Sequence, residues 1–163
     1  MSDPFNSPLE VGVRSLMILA EAYPEHLDVT RLVLLDHGLL HSADLGGPES
    51  LHPPLPDRVA ELGIKRTAIE QGLQVMLRAG LVEMTTSPGG IQFVASDSAN
   101  SFIDVLASSY AASLHDRARW VLSRFGDLSE EALRRDMHAI LGSWSEEFDA
   151  TRQLPPHDGR AAT

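Results

Sequence analysis

In TAIEQGLQVMLRAGLVEMTTSPGGIQFVA, residues 67–95, a helix runs into a hairpin, and the expected architecture is built on that order. Thr67-Ala68-Ile69-Glu70 has the form of a capping box, in which a hydroxyl and a carboxylate three residues apart satisfy the orphan N–H groups of a helix start. Ile69, Leu73, Met76 and Leu77 share one helical face, and Gly80 stands where a left-handed C-terminal cap belongs. Directly afterwards residues 81–86 and 91–95 read as two strands around Ser87-Pro88-Gly89-Gly90, a turn-forming quartet. Helix, glycine stop, strand, turn, strand is how a winged helix-turn-helix unit ends.

Upstream, the pattern supplies the helices that such a unit needs. Ser7-Pro8-Leu9-Glu10 is another capping box with proline at the first helical position, where its missing N–H costs nothing. Leu9, Val13, Leu16, Met17 and Ala20 recur at helical spacing until Tyr23-Pro24 stops the run. Asp28 is placed to cap a second helix toward Leu40, with Leu27 and Leu32 as a hydrophobic staple. Between residues 42 and 56, SADLGGPESLHPPLP contains two adjacent glycines and four prolines, which excludes a long helix or a central strand. The spacing then predicts a short turn of helix over residues 57–62, separate from the helix that begins at Thr67.

Downstream, Phe102, Ile103 and Leu106 mark a further helix, and Tyr110, Leu114, Val121, Leu122 and Phe125 a longer one ending at Gly126. Ser129 caps a last helix carrying Leu133, Met137, Ile140 and Leu141. From Ser145 the text loses periodicity and gains prolines and polar residues. The expected architecture is mostly α: a winged helix-turn-helix core with a short β-hairpin wing over residues 1–95, a C-terminal helical extension of the same domain over 96–144, and a disordered tail over 145–163.

Composition narrows the function. The chain has 163 residues, enough for one domain with a real core. No segment approaches the ~18 apolar residues of a membrane span, and Met1-Ser2-Asp3-Pro4 has neither the basic start nor the apolar run of a secretory signal. Zero cysteines exclude disulfides, thiolate nucleophiles and cysteine-based zinc sites, which fits a reducing cytoplasm. The formal net charge of −10, from 23 acidic and 13 basic residues, sets up a field that repels phosphate backbones.

Catalytic chemistry finds little support. There is no G-x-x-x-x-G-K-[ST] loop and no G-x-G-x-x-G turn to cradle a nucleotide, so no cofactor is expected. Asp36, His37 and His41, with Asp44 and His52, have the residue types of a metal site, but helical spacing among seven histidines also arises by chance. His41, Ser42 and Asp44 contain the letters of a hydrolytic triad, yet groups so close in sequence rarely reach the required geometry. The expectation is a protein that is not an enzyme. The rival is direct DNA binding by the third helix, with Arg58, Lys65, Arg66 and Arg78 as phosphate contacts and Gln71 and Gln74 reading base edges. Against it, Glu70 lies on the same stretch and the hairpin turn carries no basic residue. Trp120 is expected in the core, whereas Trp144 is open to core packing or to an interface role.

Three stretches taken in order, Pro4-Phe5-Asn6-Ser7-Pro8-Leu9-Glu10-Val11-Gly12-Val13-Arg14, His41-Ser42-Ala43-Asp44 and Ser50-Leu51-His52-Pro53-Pro54-Leu55-Pro56, with the turn Phe125-Gly126-Asp127-Leu128-Ser129, give the chain a family likeness. It resembles the middle component of ABC three-component systems, bacterial conflict systems that include the Lamassu type of anti-phage defence. The resemblance implies a small winged-helix adaptor subunit beside an SMC- or Rad50-like ABC ATPase and an effector, often a nuclease, with DNA met through the complex. The alternative is a stand-alone winged-helix transcriptional regulator.

The loop over residues 41–56 carries two of those stretches and exceeds the usual length of a connection. His41, Asp44, Leu51, His52 and Pro53 are therefore candidate partner contacts, on a loop that proline stiffens in advance of binding. The competing arrangement folds Leu51 and Leu55 back over the core, with His41 and Asp44 hydrogen-bonding the loop into place.

Overall fold

The computed structural model describes residues 7–52 and 58–141, with side-chain detail for 7–52 and 64–136. Pro53, Leu55, Trp144 and the tail over 145–163 lie outside the described residues, as does the side chain of Arg58.

Helix α1 spans Pro8–Ala22, and Ser7 Oγ accepts the Glu10 N–H at 3.2 Å to close its first turn. Asp28 caps α2, Val29–Leu40, by accepting the Arg31 N–H at 2.8 Å. A short 3-10 turn, Ser42–Leu45, follows. Helix α3 runs without interruption over Arg58–Arg78, which corrects the expected split into a short helix and a separate one beginning at Thr67. Gly63 is the only weak helix former in that join, and one interior glycine costs only about 1 kcal/mol against alanine. The threonine and glutamate that look like a capping box therefore sit mid-helix.

Gly80, at φ 73°, ends α3 in the left-handed conformation that glycine adopts freely, and the Leu81 N–H reaches back to the Met76 carbonyl. Strands β1, Val82–Ser87, and β2, Gly90–Ala95, pair antiparallel from Val82↔Ala95 to Ser87↔Gly90 with no bulge. Leu27, between α1 and α2, forms an isolated antiparallel bridge with Phe93, exchanging hydrogen bonds of 2.8 and 2.9 Å. The chain continues through α4, Ala99–Asp104, α5, Ser109–Phe125, and α6, Glu130–Leu141, the last capped by Ser129 Oγ. The described structure is thus mostly helical with one two-stranded antiparallel hairpin. None of its helices is long and apolar enough to cross a membrane.

The core is a single cluster drawn from α1, α2, Leu45 of the 3-10 turn, α3, the base of the hairpin, α4, α5 and Leu133 of α6. Its tightest seam is the crossing of α1 and α3. A Cβ built on Gly72 would lie 2.6 Å from the Gly12 nitrogen, and one on Gly12 would lie 2.8 Å from the Gly72 oxygen. Both positions need glycine because backbone, not a movable side chain, fills the space.

Candidate functional site

The α1–α2–α3 seam carries charge into the core. Asp36, fully buried in α2, receives Arg14 Nε from α1 at 2.9 Å on Oδ1 and Nη2 at 3.4 Å on Oδ2, while Lys65 Nζ from α3 lies 3.0 Å from Oδ2. Burial alone pushes the Asp36 carboxyl up. The two cations and their hydrogen bonds outweigh burial and hold it well below the usual carboxylate range. Lys65, a candidate phosphate contact in the rival DNA-binding reading, is turned inward: at 7% exposure it lies against an internal carboxylate. With both Asp36 oxygens engaged by cations, Asp36 is also no partner to His37 and His41 in holding a metal. His41 is buried beside this seam, and burial, followed by the charge of Lys65, depresses its imidazole to about 4.

The loop after α2 is folded onto the protein. Leu40 O accepts the N–H groups of Leu51 and His52, and Ser42 Oγ donates to Pro48 O at 2.9 Å. Arg117 of α5 donates through Nε and Nη2 to Glu49 O, and the Trp120 ring lies so close over Gly47 that a Cβ there would meet it at 2.2 Å. His52 Nε2 sits 2.9 Å from the Tyr110 hydroxyl, with the two ring planes within 9° of parallel. Of the loop candidates, His41 is buried, Leu51 and His52 are half-buried, and Asp44 is exposed while its N–H bonds His41 O. Leu51 packs against the core, while Leu55, its companion in the folded-back arrangement, lies outside the described residues.

On the outward side of α3, Arg66 donates to Thr30 Oγ1 at 3.2 Å and pairs with Glu70 at 3.4 Å. Glu70, Gln71, Gln74 and Arg78 are exposed. A groove of about 540 Å³ separates this side of α3 and the start of α2 from the hairpin; Leu73, Leu77, Met84, Ile91 and Phe93 line it, with Asp28 and Glu70. Directly paired strand residues share a face, so the register puts Val82, Met84, Thr86, Ile91, Phe93 and Ala95 together. Val82, Phe93 and Ala95 are buried, whereas Met84 and Ile91 continue the same apolar face into solvent at 51% exposure each. Sequence reasoning treated Met84 and Ile91 only as strand residues. Their period-2 alternation gives the face but not where on that face the core ends.

A family model described as ABC-three component (ABC-3C) system Middle Component 2 matches residues 4–147. No curated protein and no solved structure matches the chain.

Proposed function

The chain belongs to the Middle Component 2 family of ABC three-component systems, and from that premise we propose that it is a non-catalytic winged-helix adaptor, joining an SMC- or Rad50-like ABC ATPase to an effector nuclease in a cytoplasmic anti-phage complex of the Lamassu type. The order α1, Leu27 bridge, α2, α3, hairpin supports the winged-helix reading, because Leu27 takes the place of the short strand that flanks the wing in such units. The observation that carries the adaptor role is the state of the basic residues on α3. Lys65 is buried on Asp36 and Arg66 is tied to Thr30 and Glu70, so among the described side chains the outward face of α3 offers Glu70, Gln71, Gln74 and Arg78. In a chain of net charge −10, that face is poorly suited to a phosphate backbone, whose neutralisation needs several free cations. In this reading DNA reaches the assembly through the ATPase.

Two measurements test the proposal. Co-expressed with the other two components of its system, the chain should co-elute with them in size-exclusion chromatography. Titrated alone against a random duplex near physiological salt, it should bind no more tightly than ~10⁻⁵ M. Tight, sequence-dependent binding by the isolated chain would establish a DNA-binding regulator instead.

A further inference from the structure

The groove between α3 and the hairpin has an apolar floor and an acidic rim. Its floor is Leu73 and Leu77 from α3 with Met84, Ile91 and Phe93 from the strands, and Asp28 and Glu70 stand at its edge. Arg66 lines the groove as well and pairs with Glu70, so two carboxylates stand there against one guanidinium and the lining is acidic by one charge. Met84 and Ile91 are half-exposed, on the same strand face as buried Phe93, so two large apolar side chains stand in water along a groove of about 540 Å³.

Charge decides among occupants. A second copy would bring another net charge of −10 against the first, and duplex DNA would bring a denser negative charge still, so both are repelled. A segment bearing lysine or arginine beside apolar side chains matches both rim and floor. We propose that this groove is the docking site for a basic, apolar segment of a partner protein. The inference rests on the adaptor reading and deepens it: the α3–hairpin groove, rather than the loop over residues 41–52, makes the principal contact with one of the other two components.

The test is co-purification of the full chain with both components, comparing wild type with Met84→Lys/Ile91→Lys and Met84→Glu/Ile91→Glu. Both side chains are half-exposed, so thermal melting should stay within about 2 °C of wild type, because exposed substitutions change stability little. The lysine pair should reduce association with one component at least tenfold, since it removes the apolar contact and adds charge of the partner's own sign. The glutamate pair should bind more tightly than the lysine pair. Equal recovery of both variants and wild type overturns the inference while leaving the adaptor reading intact. Failure of the wild type to associate with either component overturns both. Loss that is equal for the lysine and glutamate pairs overturns the basic character of the partner. Self-association through these residues, or competition by duplex DNA for the groove, overturns the choice of a protein occupant.

Discussion

Lys65 and Arg66 are neighbours on α3 with opposite fates. One points into the α1–α2–α3 seam and is 7% exposed, where it shares the carboxylate of Asp36 with Arg14. The other points out to the groove and is held by Thr30 and Glu70 at the protein surface. The same kind of charge is thus a structural commitment on one side of the helix and an adjustable surface feature on the other. The physical difference is solvent: a buried cation without its partner keeps its full desolvation cost, whereas an exposed one recovers most of its interaction from water.

The contrast is most exposed to failure at Asp36. Asp36→Ala leaves Arg14 and Lys65 buried without their common anion, and stability should fall by about 3–5 kcal/mol, read from urea unfolding. A loss below about 1 kcal/mol would mean that the seam is wet and its charges are not committed.

Acid should probe the same region. An unfolded histidine takes up its proton near pH 6.5, whereas folded His41 resists until about pH 4, so the unfolded state binds more protons between those values. Stability must therefore fall as pH drops from about 6.5 to about 4, by about 3.5 kcal/mol at most at roughly 1.4 kcal/mol per unit. Asp36, with its carboxyl depressed, contributes stability above about pH 3.9 that is lost below it, which places its effect in a separate window. A His41→Asn variant whose unfolding midpoint keeps the full slope between pH 6.5 and 4 would remove His41 as the cause.

Gly72→Ala tests packing rather than charge. Its Cβ would meet the Gly12 nitrogen at 2.6 Å, so α1 and α3 must part, at about 1–3 kcal/mol. Leu51→Ala separates the two accounts of the loop. Its side chain packs against the core, and melting should drop by several degrees for a loss of ~1–2 kcal/mol, with assembly of the folded fraction preserved. Lost assembly at an unchanged melting temperature would instead make the loop a docking element. The smallest effect belongs to the outward face: Arg66→Gln should change stability by no more than about 0.5 kcal/mol in thermal melting, as expected for a partly exposed pair.

Much of the element order was legible in the text of the chain. Ser7, Asp28 and Ser129 each accept the capping hydrogen bond expected of them, Gly80 ends α3 in the left-handed region, and residues 87–90 close the hairpin. These are signals between residues a few positions apart, and local backbone chemistry suffices to read them. The break before Thr67 was misread because a capping-box pattern is also permitted inside a helix, which is where α3 carries it.

The caps, the amphipathic helices, the hairpin, the acidic charge and the family likeness are each written in residue type and short spacing. Which charges lie inside depends instead on long-range packing. Arg14 meets Asp36 across 22 residues of chain, and Arg117 grips the loop at Glu49 across 68. Neither separation carries a periodic signal. Burial of Lys65, exposure of Met84 and Ile91, and the seating of Gly47 under Trp120 likewise depend on which distant surfaces meet. Short-range rules specify what each segment is; the fate of a charge or an apolar side chain depends on what folds over it.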